Sequence, residues 1–330
     1  MDDIADPGTA EPRVEPDPAR EPPGSASRDP ERIVLEALQI AYASTGAEAY
    51  RGVYEQLRQL REQRRGSEGR ADPSESLPPL PPLAQAVRAA AGSTPAHSAA
   101  MPVPERIRLV CATRADREGF FSSAALGRSL TVHRPAAVEL RLFPRNTRGL
   151  PAVYNTAIAE AADDDVVLLF IHDDLHLCDY HWADRLREGL GQFDVVGLAG
   201  NRRRLPRQTG WAFSGEKMTP DTRDHMSGTV GHGTGYPPET VDVFGPTRQS
   251  VKVLDGLFLA ARSTTLRAKS LRFDERFDFH FYDLDFCRQA EQAGLTMGTW
   301  PISVVHESHG GYASEGWQRG YGAYIAKWQD

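Results

Sequence analysis

The sequence predicts an α/β protein built on an open, mostly parallel sheet with helices on both faces. Three observations lead there. From about residue 103, short apolar runs alternate with segments of helical period, the pattern of strands joined by crossover helices. One run, Val166-Val167-Leu168-Leu169-Phe170-Ile171, is apolar at every position, as a strand buried on both faces must be. The residues before 103 differ in kind, so the sheet has to be built from the remainder of the chain.

Residues 1–28 are rich in Pro, Asp, Glu, Ala and Ser and nearly free of large apolar side chains. Such a segment cannot offset the entropy of ordering and is expected to be a disordered tail. Asp29-Pro30 then reads as an N-cap followed by proline at the first helical position. Ile33, Val34, Leu38 and Tyr42 recur at helical spacing, Gly46 interrupts, and Tyr50, Val53, Leu57 and Leu60 form a second stripe. A helical hairpin is therefore expected over 29–65, a packing element for an oligomer or a docking partner. Eight of the chain's 24 prolines fall in 66–104, which reads as a semi-rigid linker. The globular domain is expected over 105–330.

The bulk numbers exclude several classes. A formal net charge of −7 argues against a dedicated nucleic-acid binder. Cys111, Cys178 and Cys287 are far apart with no CxxC pair, which argues against a zinc ribbon or disulfide framework and fits a reducing cytoplasm. The start, Met1-Asp2-Asp3, lacks the basic-then-apolar order of a signal peptide. The run at 166–171 is far shorter than the roughly 20 residues that span a membrane. A soluble, cytoplasmic protein is expected.

Within the domain the periodicity predicts strands at 107–113, 137–143, 166–171 and 195–199, and helices at 120–130, 151–162 and 181–191. Ligands in such sheets bind where the strands run out. The strand at 166–171 ends in His172-Asp173-Asp174. Unpaired buried carboxylates are costly, so these either lie at an exposed strand end, with Asp174 capping a turn, or hold a divalent cation. Phe281-Tyr282-Asp283-Leu284-Asp285 places two carboxylates at an apparent helix start. Both would serve as caps, or one would cap while the other acts as a general base. Pro301-Ile302-Ser303-Val304-Val305-His306 ends another apolar run in a histidine, which is either a hydrogen-bonded structural residue or a nitrogen ligand. His309 is the weaker candidate of that pair. Asn146-Thr147-Arg148-Gly149 leads through a glycine turn into a helix carrying Asn155, a place suited to a phosphate or ribose.

The order of these segments resembles the GT-A fold glycosyltransferases, particularly the family-2-like group. The resemblance covers about 103–312. It rests on Leu109-Val110-Cys111-Ala112-Thr113-Arg114, Ser129-Leu130, the turn at Asn146 with Tyr154-Asn155, and His172-Asp173-Asp174 in the place of a DxD motif. It continues through Leu254-Asp255-Gly256-Leu257-Phe258-Leu259-Ala260, Phe273-Asp274-Glu275, Tyr282-Asp283-Leu284-Asp285 and His306.

The resemblance implies a Rossmann-like GT-A fold. It implies transfer of a sugar from a nucleoside-diphosphate-sugar to a hydroxyl on a glycan, protein or small molecule, with Mn²⁺ or Mg²⁺ as cofactor. Asp174 would hold the cation, joined by His306 and by His172, which stands where many relatives have the first aspartate. Asp173 would contact the ribose or the metal shell. Thr113, Arg114 and Asn155 would line the nucleotide site. Asp283 would be the base of an inverting transfer, with Asp285 supporting its loop. Residues 209–247, with seven glycines and no clear period, would form a mobile loop over the acceptor, where Trp211 and Tyr236 stack on a sugar face. Two other functions use the same residues: a hydrolase whose metal activates water, and a non-catalytic nucleotide-sugar-binding module.

Overall fold

The computed structural model describes residues 103–308 and 312–329. The expected tail, the hairpin, nearly all of the linker and His309 lie outside the described residues. The chain opens with β1 (Ile107–Ala112), followed by two short helices, α1 (Arg117–Ser123) and α2 (Ala125–Val132), where the sequence predicted one. Ala124 between them is extended, and a Cβ on Gly127 would fall 1.9 Å from the Phe120 carbonyl. The second helix therefore crosses the end of the first too closely for one continuous rod. Then come β2 (Val138–Phe143), α3 (Leu150–Glu160), β3 (Val167–Ile171), β4 (Leu175–Leu177) and α4 (Trp182–Leu190).

The expected strand over 195–199 breaks in two, β5 (Val195–Gly197) and β6 (Ala199–Asn201). A hairpin of β7 (Met226–His232) and β8 (Thr240–Gly245) follows. The remaining elements are β9 (Val253–Leu254), β10 (Phe258–Arg262), α5 (Ser263–Ala268), α6 (Tyr282–Gln292), β11 (Met297–Thr299), β12 (Val304–His306) and α7 (Glu315–Trp328).

The first sheet has the order β11-β5-β10-β3-β1-β2. Only β10 runs against its neighbours; the other five strands share one direction. The expected mixed α/β fold with a mostly parallel sheet is what the chain forms. Every residue of β3 is buried, so both faces of the sheet are covered at its centre, which is why this segment reads as an unbroken apolar run.

The second sheet, β4-β12-β7-β6-β9 with β8 against β7, stands at the end of the first. The chain passes from one sheet to the other five times: between β3 and β4, β4 and β5, β5 and β6, β9 and β10, and β11 and β12. All five parallel strands point their carboxyl ends at this seam or in its direction. His172-Asp173-Asp174 is one passage and Asp255-Gly256-Leu257 is another.

The hairpin corrects the expectation of an unstructured loop over 209–247. Its glycines explain why no strand pattern was visible. A Cβ on Gly228 would lie 2.2 Å from the Leu198 carbonyl, and one on Gly245 would lie 2.3 Å from the Met226 carbonyl. Close backbone approach demands glycine at these places, and glycine erases the alternation by which strands are recognised.

Candidate active site

Three side chains from the seam converge. His172 and Asp174 come from the β3–β4 passage, and His306 ends β12, which pairs with β4 so that His306 lies opposite Leu175. Each offers one ligand atom, and these atoms lie within 4.8 Å of one another. His306 Nε2 is 3.4 Å from Asp174 Oδ1, and His172 Nδ1 is 3.9 Å from the same oxygen.

Asp174 Oδ1 is buried and accepts no hydrogen bond, an expensive condition for a carboxylate oxygen. Burial pushes the carboxyl up, yet His306 and His172 beside it outweigh this and hold it down to about 2. The oxygen is ionised and aimed between two imidazoles. That donor set, one carboxylate oxygen and two nitrogens, fits a divalent cation.

The hydrogen bonds behind His172 support the same reading. The Tyr282 hydroxyl donates to the Gly256 carbonyl at 2.8 Å. Its only proton is thereby used, so at the 2.8 Å contact with His172 Nε2 the imidazole must be the donor. A proton on Nε2 leaves Nδ1 with a free lone pair on the Asp174 side, the arrangement by which outer partners orient a metal-binding histidine. A Cβ on Gly256 would fall 2.5 Å from the Tyr282 hydroxyl, so glycine there is what lets the tyrosine reach its place.

His172 and Asp174 form a wall between two cavities. One, about 1010 Å³, is lined by Thr113, Arg114, Arg145, Arg148, Gly149 and Asp173, among others. It carries three guanidinium groups together with the carboxylates of Asp173, Asp174, Asp278 and Glu307. Burial pushes the Asp173 carboxyl up, with the Thr113 hydroxyl acting against this. The other cavity, about 720 Å³, has Trp211, Phe279, Tyr312 and Trp317 in its wall together with Asp255 and Asp283.

Asp283 begins α6 as its acidic first turn. Phe281 before it has φ 67°, a left-handed conformation that is uncommon for a bulky residue and clusters at functional sites. Asp283 Oδ2 accepts from the Gly256 amide at 3.1 Å, and Oδ1 accepts from the Leu284 amide at 2.9 Å. Burial and the neighbouring Asp255 push its carboxyl up to about 7, in spite of these amides. It is half-buried and lines the aromatic cavity.

Seven of the nine site residues named from the sequence line these cavities: Thr113, Arg114, His172, Asp173, Asp174, Asp283 and His306. Asn155 and Asp285 are placed elsewhere. Asn155 clamps α3 to the following segment, donating to the Phe273 carbonyl and to Glu275 and accepting from the Phe273 amide. Asp285 points to the opposite side of α6, fully buried, 2.6 Å from Lys327 Nζ and accepting from Gln289 and Trp328. Both side chains make their hydrogen bonds inside the fold and line neither cavity, an arrangement that suits structural roles rather than the ligand-binding role expected for Asn155 and the catalytic one expected for Asp285.

Trp211 lines the cavity as expected, but Tyr236 is 71% exposed and lies in a different crevice, against Pro238 and Val241. Asp255 was not singled out as a site residue. It lies inside a run that reads as one apolar strand, and only the division of that run between two sheets brings its carboxylate into the cavity.

No known protein family and no curated protein matches the chain in sequence. Among solved structures, S. aureus TarS 1–349 is 12% identical, with 61% of this chain covering 60% of that one at a TM-score of 0.37. The same protein in complex with UDP gives 10% identity, 62% and 60% coverage and a TM-score of 0.37. A STIV protein gives 11% identity over 62% of this chain and 82% of that one, with a TM-score of 0.32. Among the described residues no helix is long and apolar enough to cross a membrane.

Proposed function

We propose that this protein is a glycosyltransferase that moves a sugar from a metal-bound nucleoside-diphosphate-sugar to an acceptor hydroxyl, with inversion at the transferred carbon. One observation carries the reading. A cavity that mixes three arginines with four carboxylates and an aromatic cavity whose only charged side chains among the described residues, imidazoles apart, are aspartates meet at a wall made of His172 and Asp174, beside His306. A nucleoside diphosphate in the first would have Arg114, Arg145 and Arg148 as partners for its phosphates, with the bound cation offsetting the carboxylates there. The sugar and the acceptor fit the second.

The residues divide the work accordingly. Asp174, His306 and His172 hold a divalent cation such as Mn²⁺ or Mg²⁺, which when bound offsets the charge developing on the departing diphosphate. Thr113 and Asp173 bind on the nucleoside side. Asp283, whose carboxyl titrates near neutrality, takes the proton of the acceptor hydroxyl as that oxygen bonds to the sugar carbon and the carbon–phosphate oxygen bond breaks. A base with an ordinary aspartate pKa would be a poor proton acceptor at pH 7; burial beside Asp255 raises its basicity.

The test is calorimetry with a panel of nucleoside-diphosphate-sugars, with Mn²⁺ and with EDTA. One donor should bind at least tenfold more tightly with the metal, and Asp174→Ala should abolish that gain. Equal affinities with EDTA and Mn²⁺ across the panel would exclude the metal-bound donor.

A further inference from the structure

The two cavities differ in their cationic side chains. The nucleotide-side cavity sets Arg114, Arg145 and Arg148 against the carboxylates of Asp173, Asp174, Asp278 and Glu307. The aromatic cavity has Asp174, Asp242, Asp255 and Asp283 in its wall, and no lysine or arginine among the described residues. Its nitrogen bases are imidazoles, and two of those, His172 and His306, flank the metal position. A cation held by Asp174 would be matched by the donor's diphosphate. The carboxylate of Asp255 would remain, with Asp283 beside it in its deprotonated working form, and their hydrogen-bond donors are neutral: Trp211 Nε1 at 2.8 Å and the Leu257 amide at 3.2 Å for Asp255, and the Gly256 and Leu284 amides for Asp283.

The aromatic wall is built to hold one orientation. Trp211 is 7% exposed, fixed through its Nε1–H to Asp255 Oδ2, and packed edge-to-face on Phe244 with ring centroids 4.8 Å apart. Phe279 at 50% and Tyr312 at 46% exposure stand at the mouth. Rigid aromatic surfaces beside carboxylate acceptors suit a pyranose ring, whose C–H face packs on the aromatic while its hydroxyls or amines donate to the carboxylates.

We propose that this cavity selects an acceptor carbohydrate that is uncharged or amine-bearing, and rejects one carrying a carboxylate or phosphate. The inference rests on the glycosyl-transfer reading and narrows it to an acceptor class. An anionic acceptor would enter a site where Asp255 and Asp283 already lack cationic partners, and a repulsion of that kind is a standard device of specificity. An amine-bearing sugar would supply the missing cation. Asp255 has two parts in this: its charge repels anions, and its hydrogen bond positions Trp211.

Three β1,4-linked disaccharides of matched shape test it on the full chain with Mn²⁺ present: cellobiose, chitobiose with free amines, and cellobiouronic acid. Affinities are read by NMR titration. Chitobiose and cellobiose should each bind about tenfold or more tightly than cellobiouronic acid, the scale of one like-charge contact in a partly shielded site. Asp255→Asn keeps an acceptor oxygen for Trp211 and removes the charge, so it should shrink the gap to about threefold or less. Asp242→Asn, at the rim, should shrink it in the same direction and guards against a folding defect in the first variant. Equal or tighter binding of cellobiouronic acid, or a gap unchanged in both variants, overturns the proposal. Failure of all three sugars to bind also overturns it. Metal-dependent nucleotide-sugar binding, measured separately, then decides whether the transferase reading stands without it.

Discussion

At the scale of single residues the site depends on carboxylates in unequal surroundings. Asp174 is held low by two imidazoles, whereas burial and Asp255 raise Asp283 to about 7. The first is ionised near neutral pH and the second exchanges its proton there, which suits the metal-ligand and base roles proposed above for them. Asp283→Asn keeps size and hydrogen bonding but removes the proton acceptor. Single-turnover rates should fall about 10²- to 10⁴-fold, with donor affinity nearly unchanged. Collapse of donor affinity would instead make Asp283 a metal or nucleotide ligand. The sign of the pH dependence follows from the same group. The working form is the carboxylate, so the rate should rise with pH and level off above a midpoint near 7. Asp255→Asn removes a negative neighbour that raises Asp283, so the midpoint should move to lower pH in the rate profile.

At the scale of elements, α6 serves two masters. Its first turn presents Asp283 to the cavity, and two residues further round Asp285 pairs with Lys327 from α7, while Lys327 also contacts Asp274 at 2.7 Å. Asp285 has no exposure, so Asp285→Ala would leave Lys327 with one partner and leave a void beside Trp328. A loss of about 3–5 kcal/mol is expected from breaking a buried pair, read as a lowered unfolding midpoint in urea. Donor binding in the folded fraction should persist, because no ligand atom is removed. The β7–β8 hairpin has a comparable weak point. Gly228 has φ 115° and faces the Leu198 carbonyl, so Gly228→Ala combines a strained backbone with a clash. Thermal melting should show a marked loss of stability, where an alanine at exposed Gly322, which has nothing near it, should show little.

At the scale of the whole molecule, the site belongs to neither sheet alone. The passages between the two sheets bring His172, Asp174 and Asp255 to one cavity, and β12 adds His306. All site residues discussed lie beyond 103. A chain lacking residues 1–102 should therefore fold and keep metal-dependent nucleotide-sugar binding, checked by circular dichroism and calorimetry. A folded product that binds no donor would mean that the first hundred residues complete the site.

The sequence by itself determined the elements that carry strong periodicity or abrupt chemical change. β3 and its terminal His172-Asp173-Asp174 stand out because a fully buried strand is uniformly apolar and its end is suddenly charged. Asp283 and His306 stand out for similar reasons. The tertiary structure alone decided three other matters. It separated Asp283 from Asp285, since the helical turn sends side chains two apart to different faces. It spent Asn155 on a clamp between α3 and the segment after α5, a contact between residues 118 positions apart. It also revealed Asp255, because a run that reads as one strand is divided between two sheets. Local pattern records which face of an element is apolar, but distant backbone contacts, such as those that demand glycine in β7, decide where the chain changes sheets.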